Sequence, residues 1–203
     1  MCYWRTKDFS SRSLRISLLL VITLCSCDTK RQGASFFAID SLVTQQIHHL
    51  TNIKAGLFKE ALIGGKIDTV RYTPSDTTEW VKELDIFREL EIINKPVNKG
   101  SYKVDEGLFD QRSNLKVKAF TSTEELPVVY LRVYYQATVD KPRRIEALYD
   151  EENVLFASAR LLSLHFEQIG SRTVLTGYDI RGGQKMIFSD SVTFYIKGKI
   201  LVY

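Results

Sequence analysis

Apolar and polar positions change rhythm several times along this chain, and each rhythm predicts an element. Residues 16–24, ISLLLVITL, hold no charge. The run is too short to span a bilayer, which needs roughly 20 apolar residues. From Phe36 the period becomes helical. Phe36, Ile39, Val43, Ile47 and Leu50 recur every three or four positions, which marks one face of an amphipathic helix. Its polar face (Gln45, Gln46, His48, His49) lacks the Lys and Arg of a membrane-lying helix. Gly64-Gly65 lies between two mixed arms and predicts the tight turn of a β-hairpin. A second helix is predicted over SDTTEWVKELDIFRELEIINKP. Asp76 and Glu79 have the spacing of an acidic capping box. Trp80, Leu84 and Phe87 share a face, and Pro96 ends the segment.

After a polar loop the period drops to two from residue 114 onward. LKVKA, VVYLRVYY, RRIEALY, LFASARLLSLHFE, TVLTGYDI and KMIF read as strands, and VTFYI and KILVY close the chain. DEEN (residues 150–153) and Gly182-Gly183 read as turns between them. Short strands joined without helical crossovers predict an antiparallel meander. The expected class is α+β: two N-terminal helices with a β-hairpin between them, packed on a curved, half-barrel-like meander sheet. One strand breaks the clean alternation of a half-wet sheet. VVYLRVYY puts Val129, Leu131, Val133 and Tyr135 on one face but Tyr130, Arg132 and Tyr134 on the other. Either both faces are covered, or the second face lines a concave, partly apolar pocket, or its Tyr rings lie on a solvated surface with hydroxyls in water.

The start of the chain gives an address. MCYWRTKDFSSRSLR carries Arg5, Lys7, Arg12 and Arg15 against Asp8. A basic lead-in followed by a short apolar core is the layout of a secretory signal peptide. The core ends in Leu24-Cys25-Ser26-Cys27, which resembles the lipobox of bacterial lipoproteins. That resemblance implies lipid attachment at Cys27 and removal of residues 1–26. Residues 27–35 would then be a polar tether and 36–203 a single α+β domain. It also implies an address in the cell envelope, on the periplasmic side of the inner or outer membrane. Two or more acyl chains hold a protein stably at a bilayer, each buried methylene contributing about 0.8 kcal/mol. WVKELDIFRELEIINKP followed by GSYKV resembles a family of small cell-envelope lipoproteins without an assigned activity.

Composition takes on a different meaning once the leader is set aside. The chain has 28 Lys and Arg against 24 Asp and Glu. Without the leader's four cations and one anion, 24 stand against 23. The basicity belongs largely to the leader, and no stripe of cations and stacking aromatics marks a nucleic-acid partner. The three cysteines, Cys2, Cys25 and Cys27, all lie in the first 27 residues. The domain that follows therefore has no cysteine nucleophile, no disulfide and no Cys-ligated zinc.

Catalytic patterns are sparse. His48 and His49 are neighbours on a helix and point about 100° apart, so they do not share an ion. No HExxH motif or calcium loop is present, and no cofactor or metal is expected. Asp150-Glu151-Glu152 reads as a charged hairpin tip. Arg143-Arg144 after Pro142 suits an anion or simply a strand start. His165 lies within a strand without a GxSxG elbow. Ser163, His165 and Glu167 share a strand face and are the first place to look for a hydrolase. The expected role is a non-enzymatic binding protein for an apolar ligand or lipid, with Tyr130, Arg132 and Tyr134 facing the ligand. The alternative is an interaction or scaffold component of an envelope complex, and a hydrolase ranks below both. The expected partners are a membrane, through the anchor at Cys27, and either an apolar ligand or an envelope protein.

Overall fold

Nine strands form a single sheet, alternating residues of most of them bury one of its faces, and two helices cover that face. The computed structural model describes residues 36–202, so Cys27 and the tether lie outside it. The strands are β1 (Gly56–Ile63), β2 (Lys66–Tyr72), β3 (Tyr102–Phe109), β4 (Lys116–Ser122) and β5 (Val128–Tyr135), then β6 (Pro142–Glu152), β7 (Phe156–Ile169), β8 (Arg172–Met186) and β9 (Val192–Leu201). The helices are α1 (Ile39–Asn52) and α2 (Thr77–Arg88). All pairings are antiparallel, in the order β2-β1-β9-β8-β7-β6-β5-β4-β3.

This corrects the expected architecture. The N-terminal half is not a helix-hairpin-helix layer laid on a separate meander, and the sheet does not close into a half-barrel-like wall. The β1–β2 hairpin is one end of the large sheet itself, joined to the C-terminal strand by the register Leu57↔Ile200 and Ala61↔Ile196. Strand β3 forms the other edge, in a stretch whose polarity reads as loop. The physical reason is long-range pairing. Local periodicity reports that a segment is a strand, but the partner is set by burial of Leu57 and Ile200 in a shared core.

Smaller corrections have local causes. Gly182-Gly183 lies inside β8, opposite Arg160 and Ala159. A Cβ on Gly182 would collide with the Ala159 carbonyl oxygen and the Phe194 ring, so close strand approach, not a turn, requires that glycine. Asp150-Glu151-Glu152 ends β6, and the turn falls on residues 153–155. VTFYI and the KIL of KILVY belong to one strand, β9, with Gly198 inside it. A register shift between Val128 and Tyr130 leaves Val129 outside the pairing. Val128, Leu131 and Val133 then reach the core instead of Val129.

The core lies between the helices and the inner sheet face. Helix α1 buries Ile39, Val43, Ile47 and Leu50. Helix α2 buries Trp80, Leu84 and Phe87, and the 3-10 turns after it bury Leu90 and Ile93. Each such side chain contributes roughly 1.5–3 kcal/mol on leaving water. Asp76 accepts from the Glu79 N–H at 3.0 Å, and Glu79 accepts from the Ser75 N–H at 2.7 Å, so the first turn of α2 is capped from both sides. Polar ties then fix the helices. Gln46 donates to the Thr173 carbonyl at 3.0 Å and accepts from the Leu175 N–H at 2.8 Å. Those are backbone groups beside the β7–β8 bulge, where ladder pairing shifts. Asn94 accepts from the Phe36 N–H at 2.7 Å and donates to the Phe37 carbonyl at 2.8 Å. The Asn of INKP thereby holds the chain where it enters the domain.

Candidate functional site

Opposite faces of the sheet carry different chemistry. On the inner face the main charged group is Glu83 of α2. Lys59 donates to both its oxygens at 3.1 and 2.8 Å, Tyr72 donates at 2.9 Å, and Tyr178 donates at 2.7 Å. Burial alone raises the pKa of this carboxyl. The hydrogen bonds from Lys59 and Tyr178, the Lys59 charge and the Tyr72 hydroxyl outweigh it and hold the value below the ordinary range. Burial and the same carboxylate push the Tyr72 phenol up to about 12 and raise that of Tyr178 as well. Every ligand of this cluster is already a protein group, so it serves the fold.

Neither helix covers the outer face, and the cross-strand register orders its side chains into rows. Tyr134, Arg144, His165 and Gly177 are successive partners from β5 to β8, and Lys199 on β9 continues the row. Arg132, Glu146, Ser163, Asp179 and Lys197 form the next row. Tyr130, Leu148, Leu161, Arg181 and Tyr195 form the third. The three residues expected to face a ligand, Tyr130, Arg132 and Tyr134, all stand on this face, one in each row. The Arg132 guanidinium lies 4.3 Å from the Tyr130 ring centre, and that of Arg144 lies 3.9 Å from the Tyr134 ring. Tyr134 is itself buried, in a small second cluster with Val117 and Ala119. Burial, with the Glu146 charge close by, raises the Tyr130 phenol pKa.

At the centre of the face, His165 Nε2 lies 2.7 Å from an Asp179 oxygen, and the Tyr195 hydroxyl donates to the other at 2.8 Å. Burial would raise the Asp179 pKa, but the Tyr195 and His165 hydrogen bonds and the charges of His165 and Lys197 lower it. This pair forms a ridge between two hollows. One, of about 170 Å³, is lined by Arg144, Glu146, Leu161, Ser163 and Arg181 together with the pair. The other, of about 310 Å³, is lined by Thr176, Gly177, Lys197, Gly198 and Lys199 with the pair, over Tyr178.

Known proteins offer no guide to this face. No protein-family model, curated protein or solved structure matches this chain.

The residues singled out by sequence are partly brought together. Ser163 and His165 share the smaller hollow, while Glu167 lies past the β7–β8 bulge, exposed and opposite Val174. Arg144 turns to the outer face, whereas Arg143 contacts Gln136 at 3.4 Å. Asp179, Tyr195, Arg181, Lys197 and Lys199 are missed by sequence reasoning. The available signal was an acid in mid-strand between Tyr178 and Ile180, both buried.

A Ser-His-Asp hydrolase needs the serine hydroxyl bonded to the histidine base. Here Ser163 pairs across the ladder with Asp179, and among the described residues its hydroxyl makes no hydrogen bond to His165. A fluorophosphonate probe should therefore leave Ser163 unmodified in intact-mass measurement, and stoichiometric labelling would revive the hydrolase. Among the described residues, no group of three or more His, Cys, Asp or Glu is placed to hold a metal ion. No described helix is long and apolar enough to cross a membrane.

Proposed function

We propose that this protein is a non-enzymatic binding protein of the cell envelope, anchored by lipid on Cys27, and that it binds its ligand on the outer sheet face. One observation carries the binding part. The face that the helices leave open is built from Tyr, Arg, His and Asp side chains locked to one another across strands, with two hollows at its centre. Fixed side chains lose little entropy when a ligand arrives. Half-buried Leu148, Leu161 and Tyr130 supply apolar contact in one row, which suits the apolar part of a ligand. On the inner face the apolar side chains of α1 and α2 pack against the sheet as core.

A scaffold role draws on a different feature. Ile67, Met186 and Phe188 are exposed at the end of the sheet that carries the β1–β2 and β8–β9 turns, Phe188 almost fully. Native mass spectrometry of the full chain, purified from its own membrane in mild detergent, separates the two roles. A co-purifying small molecule lost in a Tyr130→Ala, Arg144→Ala variant supports the binding role. A cross-linked protein partner and no small molecule supports the scaffold.

The anchor has its own test. A Cys27→Ser chain should incorporate no labelled fatty acid and should leave the membrane fraction or accumulate with residues 1–26 uncut. Unchanged lipid labelling in that variant removes the lipoprotein assignment.

A further inference from the structure

The geometry points to anionic groups as the part of the ligand that the outer face recognises: a phosphate or carboxylate in each hollow beside His165, held by Arg144 and Arg181 in one and by Lys197 and Lys199 in the other. This inference rests on the binding role proposed above and adds the chemistry of the ligand.

The first support is an imbalance between engaged acids and unengaged bases. Of the two carboxylates at the hollows, Asp179 is engaged at both oxygens and Glu146 has one long ion pair. Asp179 accepts from His165 and Tyr195, and Glu146 lies 3.8 Å from Arg132. The cations are not matched in the same way. Among the described residues, Arg181, Lys197 and Lys199 have no carboxylate oxygen within ion-pair distance. Arg144 has only Asp110, at 3.8 Å through one terminal nitrogen. On the inner face Lys59 pairs closely with Glu83 at 2.8 Å, whereas Arg160 reaches Glu89 only at 3.7 Å through one terminal nitrogen, as Arg144 reaches Asp110.

The second support is how the cations are held. Arg144 stacks on Tyr134 at 3.9 Å and Arg181 on Tyr195 at 4.9 Å. Stacking fixes the plane of a guanidinium and leaves its donor edge for a two-point contact with an oxyanion. Gly177 adds no side chain to the floor of the neighbouring hollow, where a Cβ would stand 2.8 Å from the Gly198 carbonyl oxygen. His165 divides the two hollows and lines both, so an anionic group on either side meets it.

Phosphate chemistry of this kind comes from a soluble phosphate compound or from a lipid headgroup, and two probes tell them apart. The full chain in non-ionic detergent is titrated with pyrophosphate, with dihexanoyl phosphatidylglycerol and, as the neutral comparison, with dihexanoyl phosphatidylcholine. Binding is read by calorimetry and by the ring resonances of His165. Saturable binding of pyrophosphate or of the anionic lipid, with movement of the His165 signals and none for the zwitterionic lipid, is expected. The stronger of the two anionic responses assigns the source. Arg144→Lys keeps the charge but loses the planar fork, and should weaken binding by about tenfold. The exposed pair Lys197→Ala, Lys199→Ala should weaken it comparably and steepen no unfolding transition, which covers the case of an Arg144 variant that folds poorly. Anion binding that neither variant weakens overturns the assignment. A neutral native ligand on the outer face, without response to either anion, overturns the anion while leaving the binding role. Absence of any ligand, native or added, overturns both.

Discussion

Replacing Gly198 with alanine should lower the free energy of unfolding by about 3 kcal/mol, at the upper end of the usual penalty for overpacking. The glycine lies in mid-strand, where that residue normally weakens a sheet. Its missing side chain is the space that Tyr178 occupies, since a Cβ there would run into three atoms of the Tyr178 ring. The ring cannot move aside. Tyr178 is only 1% exposed, its hydroxyl is bonded to Glu83 at 2.7 Å, and Phe87 packs edge-on at 5.8 Å. Urea unfolding followed by tryptophan fluorescence measures the loss. Tyr178→Leu vacates part of the space, so the pair of changes should destabilise by clearly less than the sum of the two. A loss below about 0.5 kcal/mol, the size of an ordinary surface change, would mean that strand β9 shifts freely and that the Tyr178 contact does not constrain it.

The second large effect belongs to Glu83. Truncation to alanine leaves the Lys59 ammonium and two phenols without their shared acceptor, and should cost about 3 kcal/mol, the low end for breaking a buried pair because Lys59 is partly wet. Glu83→Gln keeps an acceptor and removes the charge, which makes it the sharper probe of pH. The carboxyl has a lowered pKa in the folded chain, so its contribution is fully present above the unfolded value of about 4.3. It is lost as pH falls through the lower folded value. The stability gap between the natural chain and the Glu83→Gln variant should hold steady near neutrality and narrow below about pH 4. A gap that widens in acid would show that the carboxyl is protonated in the folded protein and donates a hydrogen bond instead.

Much of what the sequence left illegible comes down to distance along the chain. Alternation in VVYLRVYY marks a strand, and burial of Leu131 and Val133 on one side follows from it. The same alternation says nothing of the bulge that turns Val129 away, because a bulge depends on the partner strand. Nor does it say that Leu57 meets Ile200; that pairing is settled by a core contributed from both ends of the domain. The candidate site was harder for the same reason. His165 could be named from sequence, but its partner Asp179 is reached only through the antiparallel ladder, and Tyr195 only through the next strand. Arg144 was visible as a basic pair with Arg143, while the stacking on Tyr134 that fixes it depends on the register Tyr134↔Arg144. Lys197 and Lys199 read as ordinary surface lysines until two neighbouring strands bring His165 beside them.

The β1–β9 pairing also sets an order of events. Strand β1 is made early and its partner on that side is the last strand of the sheet, so the hairpin has one unpaired edge too many for as long as synthesis continues. Sequence separations of that size slow folding, because loop closure precedes the contacts that reward it. Until residue 201 emerges, the hairpin has only its own turn and the nearby helix to rest on. A chain that stops short after β8 therefore loses more than its last strand. It leaves two strands without a sheet, and with them the Lys59 and Tyr72 groups that hold Glu83.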